Sequence, residues 1–170
     1  MPFPHFILMT TTALLDQIVS FMDDADRHYD RVSEGGGLIV TQISGDDGTW
    51  SVYVQITDDQ EARRVVVHGR IPAHIPESNR LKVAEMLTRT NYELILGNFE
   101  LNLEDGEVLF KTTLDLAGGQ LTQAMFERAY QLNAQCVNEY YGQILRVGFG
   151  DARTQITKTV THRIDGALLQ

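Results

Sequence analysis

From Thr10 to Tyr29 the apolar residues recur at helical spacing: Leu14, Ile18, Phe21 or Met22, Ala25 and Tyr29, with Asp16, Asp23, Asp24 and Arg27 falling elsewhere. That period puts the apolar set on one face of an amphipathic helix, which any of Thr10, Thr11 or Thr12 could cap. Gly35-Gly36-Gly37 ends the pattern. The period then changes to two. Three β-rich runs, Leu38 to Ile43, Thr49 to Thr57 and Ala62 to Ile71, are separated by Ser44-Gly45-Asp46-Asp47-Gly48 and Asp58-Asp59-Gln60. Such short polar connections suit an antiparallel meander. In the second run Trp50, Val52, Val54 and Ile56 alternate with Ser51, Tyr53, Gln55 and Thr57, and in the third Val65, Val67 and Ile71 oppose Arg64, His68 and Arg70.

Pro72 and Pro76 are expected to stop the sheet, with Pro76 in the first turn of a second helix that runs to about Asn91 and carries Val83, Ala84, Met86 and Leu87 as its apolar stripe. Two further strands follow, Tyr92 to Leu103 and Glu107 to Leu116, and the Asp105-Gly106 pair between them is a strong hairpin signal. After Gly118-Gly119, the residues Leu121, Met125, Ala129, Leu132, Cys136, Tyr140 and Ile144 predict the longest helix, ending near Gly148. The expected fold class is therefore α+β: helix, three-stranded antiparallel meander, helix, two-stranded hairpin, long helix. Three segments are expected: an apolar stretch over 1–9, a domain over 10–150 and a tail over 151–170 in which Thr154, Ile156, Thr159, Val160 and Thr161 could add a strand.

Charge narrows the range of partners. The chain of 170 residues has a formal net charge of -9. Residues 151–170 contain Arg153, Lys158 and Arg163 against Asp151 and Asp165, a net +1, so the preceding 150 residues carry -10. An acidic body repels a phosphate backbone and favours basic protein surfaces, which argues against direct nucleic-acid binding. The single cysteine, Cys136, fits a reducing compartment, and the cytoplasm is the expected location. No stretch reaches the roughly 18 apolar residues of a membrane span; the opening Met1 to Met9 is too short and lacks a basic start.

The residues that could carry chemistry are dispersed. His5, His28, His68, His74 and His162 fall on different elements without a metal-binding spacing, so no metal or cofactor is expected. Glu100, Glu104, Asp105 and Glu107 gather at one hairpin and could act as acid and base only if burial separated their pKa values, whereas hairpin tips are usually solvated. Asp46, Asp47, Asp58 and Asp59 lack calcium-loop order. Gly148-Phe149-Gly150 follows a helix where a dinucleotide fingerprint would follow a strand, and reads as a helix stop. Cys136 sits on an apolar stripe, as a buried structural thiol does.

The segment from Asn91-Tyr92 through Gly97-Asn98-Phe99-Glu100 to Asp105-Gly106-Glu107 and the Val108 to Leu114 return strand resembles the signature of the YbjN family. Locally, Gly97 permits a close approach or bend, Phe99, Leu101 and Leu103 are expected to point one way, and Val108, Phe110, Thr112 and Leu114 to form the facing stripe. The resemblance implies a type III secretion chaperone-like fold and a dimeric protein-binding module that works as a bacterial sensory-transduction regulator. It brings no catalytic residues with it. The expected function is thus a non-enzymatic protein-binding regulator or chaperone-like adaptor, with a small-molecule-sensing dimeric domain as the alternative. The candidate protein-contact residues are Tyr53, on the less apolar sheet face, and Tyr92, Leu94 and Leu96, where the second helix and the strand after it are expected to form a homodimer contact.

Overall fold

The computed structural model describes residues 11–32, 37–58 and 62–150. Expectations placed on residues 1–10, Gly35 and Gly36, Asp59 and Gln60, and the tail 151–170 lie outside the described residues. Nine elements follow in order: α1 (Thr11–Asp24), β1 (Asp30–Val32), β2 (Leu38–Ser44), β3 (Thr49–Asp58), β4 (Arg63–His74), α2 (Glu77–Glu93), β5 (Asn98–Leu101), β6 (Glu107–Asp115) and α3 (Gln123–Phe149). All strands belong to one antiparallel sheet in the order β1-β2-β3-β4-β6-β5.

The meander forms as its alternation requires. Trp50, Val52, Val54 and Ile56 of β3 and Val65, Val67 and Ile71 of β4 are buried, facing the helices. The hairpin joins the meander because β6 pairs along β4, from Arg64↔Asp115 to Ile71↔Val108. Val108, Phe110 and Thr112 are buried with it, and Leu114 is half-buried, so the expected stripe on the return strand is present.

Four local expectations are corrected. The first helix stops at Asp24, where Asp26 takes φ 52°, so Tyr29 leaves the helix. The chain then adds β1, a short edge strand of three exposed residues that carries no burial pattern to read. Pro72 does not stop β4, which continues to His74. The β4–β6 register shifts between Ile71 and His74, and a proline is tolerated where the ladder is already interrupted. Pro76 is the N-cap of α2 and lies just before its first turn.

The long helix α3 runs from a Thr122 cap, whose hydroxyl accepts from the Met125 N–H at 3.2 Å, to Gly150 at φ 74°, the expected stop. Its buried face is Phe126, Ala129, Tyr130, Asn133, Cys136, Val137, Tyr141, Ile144 and Gly148. The stripe is therefore rotated from the expected one. Met125 is exposed and Leu132 and Tyr140 are half-buried, because a polar residue, Asn133, occupies the centre of the contact.

Asn133 Nδ2 donates to Val67 O at 2.8 Å and Phe110 O at 2.9 Å, one acceptor on each of β4 and β6. Gly69 provides the room: a Cβ there would meet the Asn133 side chain and come within 2.7 Å of Val137. Thr112 donates to Ala129 O at 3.1 Å alongside. At the far end of the meander, Asn138 bonds both the Asp46 N–H (2.9 Å) and the Asp46 carboxylate (2.8 Å), securing the β2–β3 turn.

Candidate protein-contact surface

α2 lies along β5, the edge strand next to β6, and its buried residues are Val83, Leu87 and Thr90. At about 100° per residue, Leu81 and Tyr92 fall about 20° apart and roughly opposite that buried stripe. They are exposed to solvent at 77% and 92%. Glu77, Glu85 and Thr88, also exposed, occupy the same outward face at intervals of three and four residues.

The strand expected from Tyr92 to Leu103 is shorter than that. Tyr92 and Glu93 complete α2, Leu94 to Gly97 form a connection, and only Asn98–Leu101 are extended. Two glycines shape this hairpin. Gly97 takes φ 77° with the Phe110 ring 2.6 Å from where a Cβ would lie, and Gly106 takes φ 84° where a Cβ would overlap the Ile75 carbonyl. Leu103 therefore turns outward at the hairpin tip, 56% exposed, and does not continue the Phe99 and Leu101 side.

The edge of β5 is closed from within the chain. Asn91 Oδ1 accepts from the Phe99 N–H at 2.8 Å and Asn91 Nδ2 donates to Phe99 O at 3.0 Å, so one side-chain amide fills the place of a neighbouring strand. At the other end of α2, Arg80 donates to Ile75 O, Leu103 O and Glu104 O and ties the hairpin tip to the helix.

Of the four candidate contact residues, three sit on this side. Tyr92 and Leu96 (59% exposed) face solvent, while Leu94 is half-buried and packs against the core. Tyr53 stands apart on the sheet face away from the helices, half-buried in a row that crosses all six strands: Asp30, Val40, Tyr53, His68, Lys111 and Asn98. Sequence reasoning overlooked Leu81, Ile95 (95% exposed) and Leu103. The signal was available for Leu81, an apolar residue opposite the stripe of its own helix. Ile95 and Leu103 carried none, because both read as strand positions.

The carboxylates of the hairpin do not form an acid–base pair. Glu100 is held by Lys111 and Glu107 by Arg70, and Glu104 is exposed on the turn. Burial opposes ionisation of Glu100, but the Lys111 ammonium and the Asn98 amide outweigh it and hold its carboxyl below the usual range. Glu100 and Glu107 thus each face a cation of their own and not each other. Burial pushes the Cys136 thiol up to about 11, with Glu139 adding to the effect, which leaves it protonated and a poor nucleophile. No group of three or more His, Cys, Asp or Glu side chains among the described residues could hold a metal ion.

The profile of the YbjN family, described as "Putative bacterial sensory transduction regulator", matches residues 14–146. The chain belongs to the YbjN family. Among solved structures, YbjN from E. coli, titled "a putative transcription regulator", superposes with a TM-score of 0.57 at 13% identity, covering 76% of this chain and 92% of that one. The ExsC–ExsE complex superposes with a TM-score of 0.56 at 14% identity, covering 81% and 97%. No curated protein matches the chain. At these identities the structures speak for the fold alone, which is the α+β, type III secretion chaperone-like arrangement that the signature implied. Among the described residues, no helix is long and apolar enough to cross a membrane.

Proposed function

We propose that this YbjN-family protein is a non-enzymatic, cytoplasmic regulator or chaperone-like adaptor that binds another protein through the outward face of α2 and its flanks, and that it forms a homodimer through the same side. The observation that carries this reading is a concentration of apolar exposure. Of the seven large hydrophobic side chains exposed among the described residues, Leu81, Tyr92, Ile95, Leu96 and Leu103 lie on α2 or beside it. Single exposed apolar residues are ordinary, whereas a contiguous group marks an interaction surface. Tyrosine at such a position supplies contact area at low entropic cost.

The family description and the chaperone-like fold support a regulatory or chaperone-like role. One of the superposed structures is a two-protein complex, which supports a protein partner here. The negative charge of the chain favours a partner with a basic surface over nucleic acid. Leu14, Ile18, Phe110, Phe126 and Ile144 are fully buried in the core between helices and sheet, which supports a surface contact over an apolar ligand held there.

Sedimentation of the full chain tests the reading. A dimer at micromolar concentration that dissociates in Tyr92→Asp, together with a captured protein that rebinds the pure chain and loses that binding in the same variant, is the expected result. A monomer at all concentrations whose captured partners bind Tyr92→Asp equally well would overturn it.

A further inference from the structure

We infer that two copies of this chain pack α2 against α2 antiparallel about a two-fold axis near Leu87, each charge in the groove between α2 and α3 meeting an opposite charge of the other copy. This rests on the reading of the α2 side as the homodimer contact and gives that contact an orientation. The groove has a volume of about 490 Å³. Met86, Tyr140 and Val147, all half-buried, supply its apolar lining. Its charged lining comes entirely from α2: Lys82, Glu85, Arg89 and Glu93, all exposed. At about 100° per residue these four fall within about 80° of arc, beside the arc that carries Leu81 and Tyr92.

The signs of these four residues alternate along the helix: positive, negative, positive, negative. Such a row changes sign when it is reversed. Laid antiparallel against its own copy, it sets every charge opposite one of the other sign, whereas a parallel copy sets each against its like. The spacing agrees with the signs. Lys82 and Glu93 are centred between Leu87 and Thr88, and Glu85 and Arg89 are centred at Leu87, so one two-fold axis serves both pairs to within about 0.8 Å of helix rise. Within the chain, Arg89 already pairs with Glu85 at 2.8 Å, so across the axis two such pairs meet head to tail. Lys82 donates to Asn79 Oδ1 at 3.3 Å, and neither Lys82 nor Glu93 is in an ion pair among the described residues.

Self-complementarity of this kind is what a two-fold contact requires, because there residue i meets j and j meets i. A different partner would require no such symmetry, so the row points to a second copy. Exposed ion pairs contribute little singly, but a two-fold uses each of them twice, and like charges in the same places oppose the contact.

The test uses the full chain and the charge exchange Lys82→Glu/Glu93→Lys, which leaves the net charge unaltered. Either reversal alone sets two like pairs across the axis and is expected to weaken self-association about tenfold in sedimentation, and the exchange to restore it. Native mass spectrometry of an equimolar mixture of ¹⁵N-labelled wild-type and unlabelled exchanged protein then reads the orientation. In an antiparallel mixed dimer Lys82 meets the introduced lysine and Glu93 the introduced glutamate, so mixed dimers are expected well below the roughly one half that random pairing gives. Mixed dimers at one half, or single reversals that associate as the wild type does, would overturn the charge pairing and leave the homodimer reading standing. Mixed dimers above one half would overturn the antiparallel orientation. A wild-type chain that stays monomeric at every concentration would remove the homodimer reading and this geometry with it.

Discussion

α3 and α2 are both amphipathic helices laid against the same core, yet they use their apolar residues in opposite ways. α3 turns nine residues inward over its 27-residue length, including the fully buried Phe126 and Asn133. α2 buries only Val83, Leu87 and Thr90 of its 17 residues and leaves Leu81 and Tyr92 in solvent. The difference separates a helix that holds the sheet together from one that presents a surface. Losses on α3 and beneath it should appear as lost stability, and losses on the outside of α2 as lost association.

Phe110 should show the largest stability effect. It is fully buried beneath α3 and meets the Phe99 ring at a centroid distance of 4.7 Å. Phe110→Ala is expected to cost about 3–5 kcal/mol in urea unfolding; a loss below about 1 kcal/mol would mean that α3 is not the organising contact. Gly69→Ala should come next, at about 1–3 kcal/mol, because the added Cβ displaces Asn133 and Val137. Asn133→Ala in the same background should recover part of that loss, which locates the clash on α3.

Leu81→Asp should change the urea midpoint by no more than about 0.5 kcal/mol equivalent, while weakening self-association by tenfold or more in sedimentation. A stability loss comparable with that of Phe110→Ala would erase the contrast between the two helices.

The smallest effect concerns the sheet face that carries neither helix. Burial, with Lys111 adding to it, lowers the pKa of His68 against the opposing pull of Glu100 and Glu107. The unfolded state then binds the proton more readily. Stability from this group should be complete above about pH 6.5 and decline as the pH falls below it. His68→Asn should flatten that part of the stability–pH curve, and an unchanged slope would assign it to other groups.

Much of this architecture was legible along the chain, for identifiable reasons. Strict alternation in Thr49–Asp58 made β3 and its buried face plain, and Asp105-Gly106 marked the hairpin between β5 and β6. β1 was invisible because three exposed residues, Asp30, Arg31 and Val32, carry no period. The α3 stripe was displaced because apolarity alone cannot anticipate that an asparagine will bond two carbonyls on adjacent strands. Of the residues expected to make contacts, Tyr92 and Leu96 are exposed and Leu94 packs against the core, while the exposure of Ile95 and Leu103 was hidden by a strand pattern that the chain does not follow.

The sequence by itself determined eight of the nine elements, their antiparallel character and the YbjN signature, because these depend on local period, turn chemistry and short-range spacing. Only the tertiary structure decided that β4 and β6 are neighbours, that Asn91 bonds the Phe99 backbone on the edge of β5, and that five large apolar side chains on α2 and its flanks are exposed. Those are facts about residues distant in sequence brought to one place. A one-dimensional pattern records how apolar a residue is, and the packing of the rest of the chain determines whether that residue is covered.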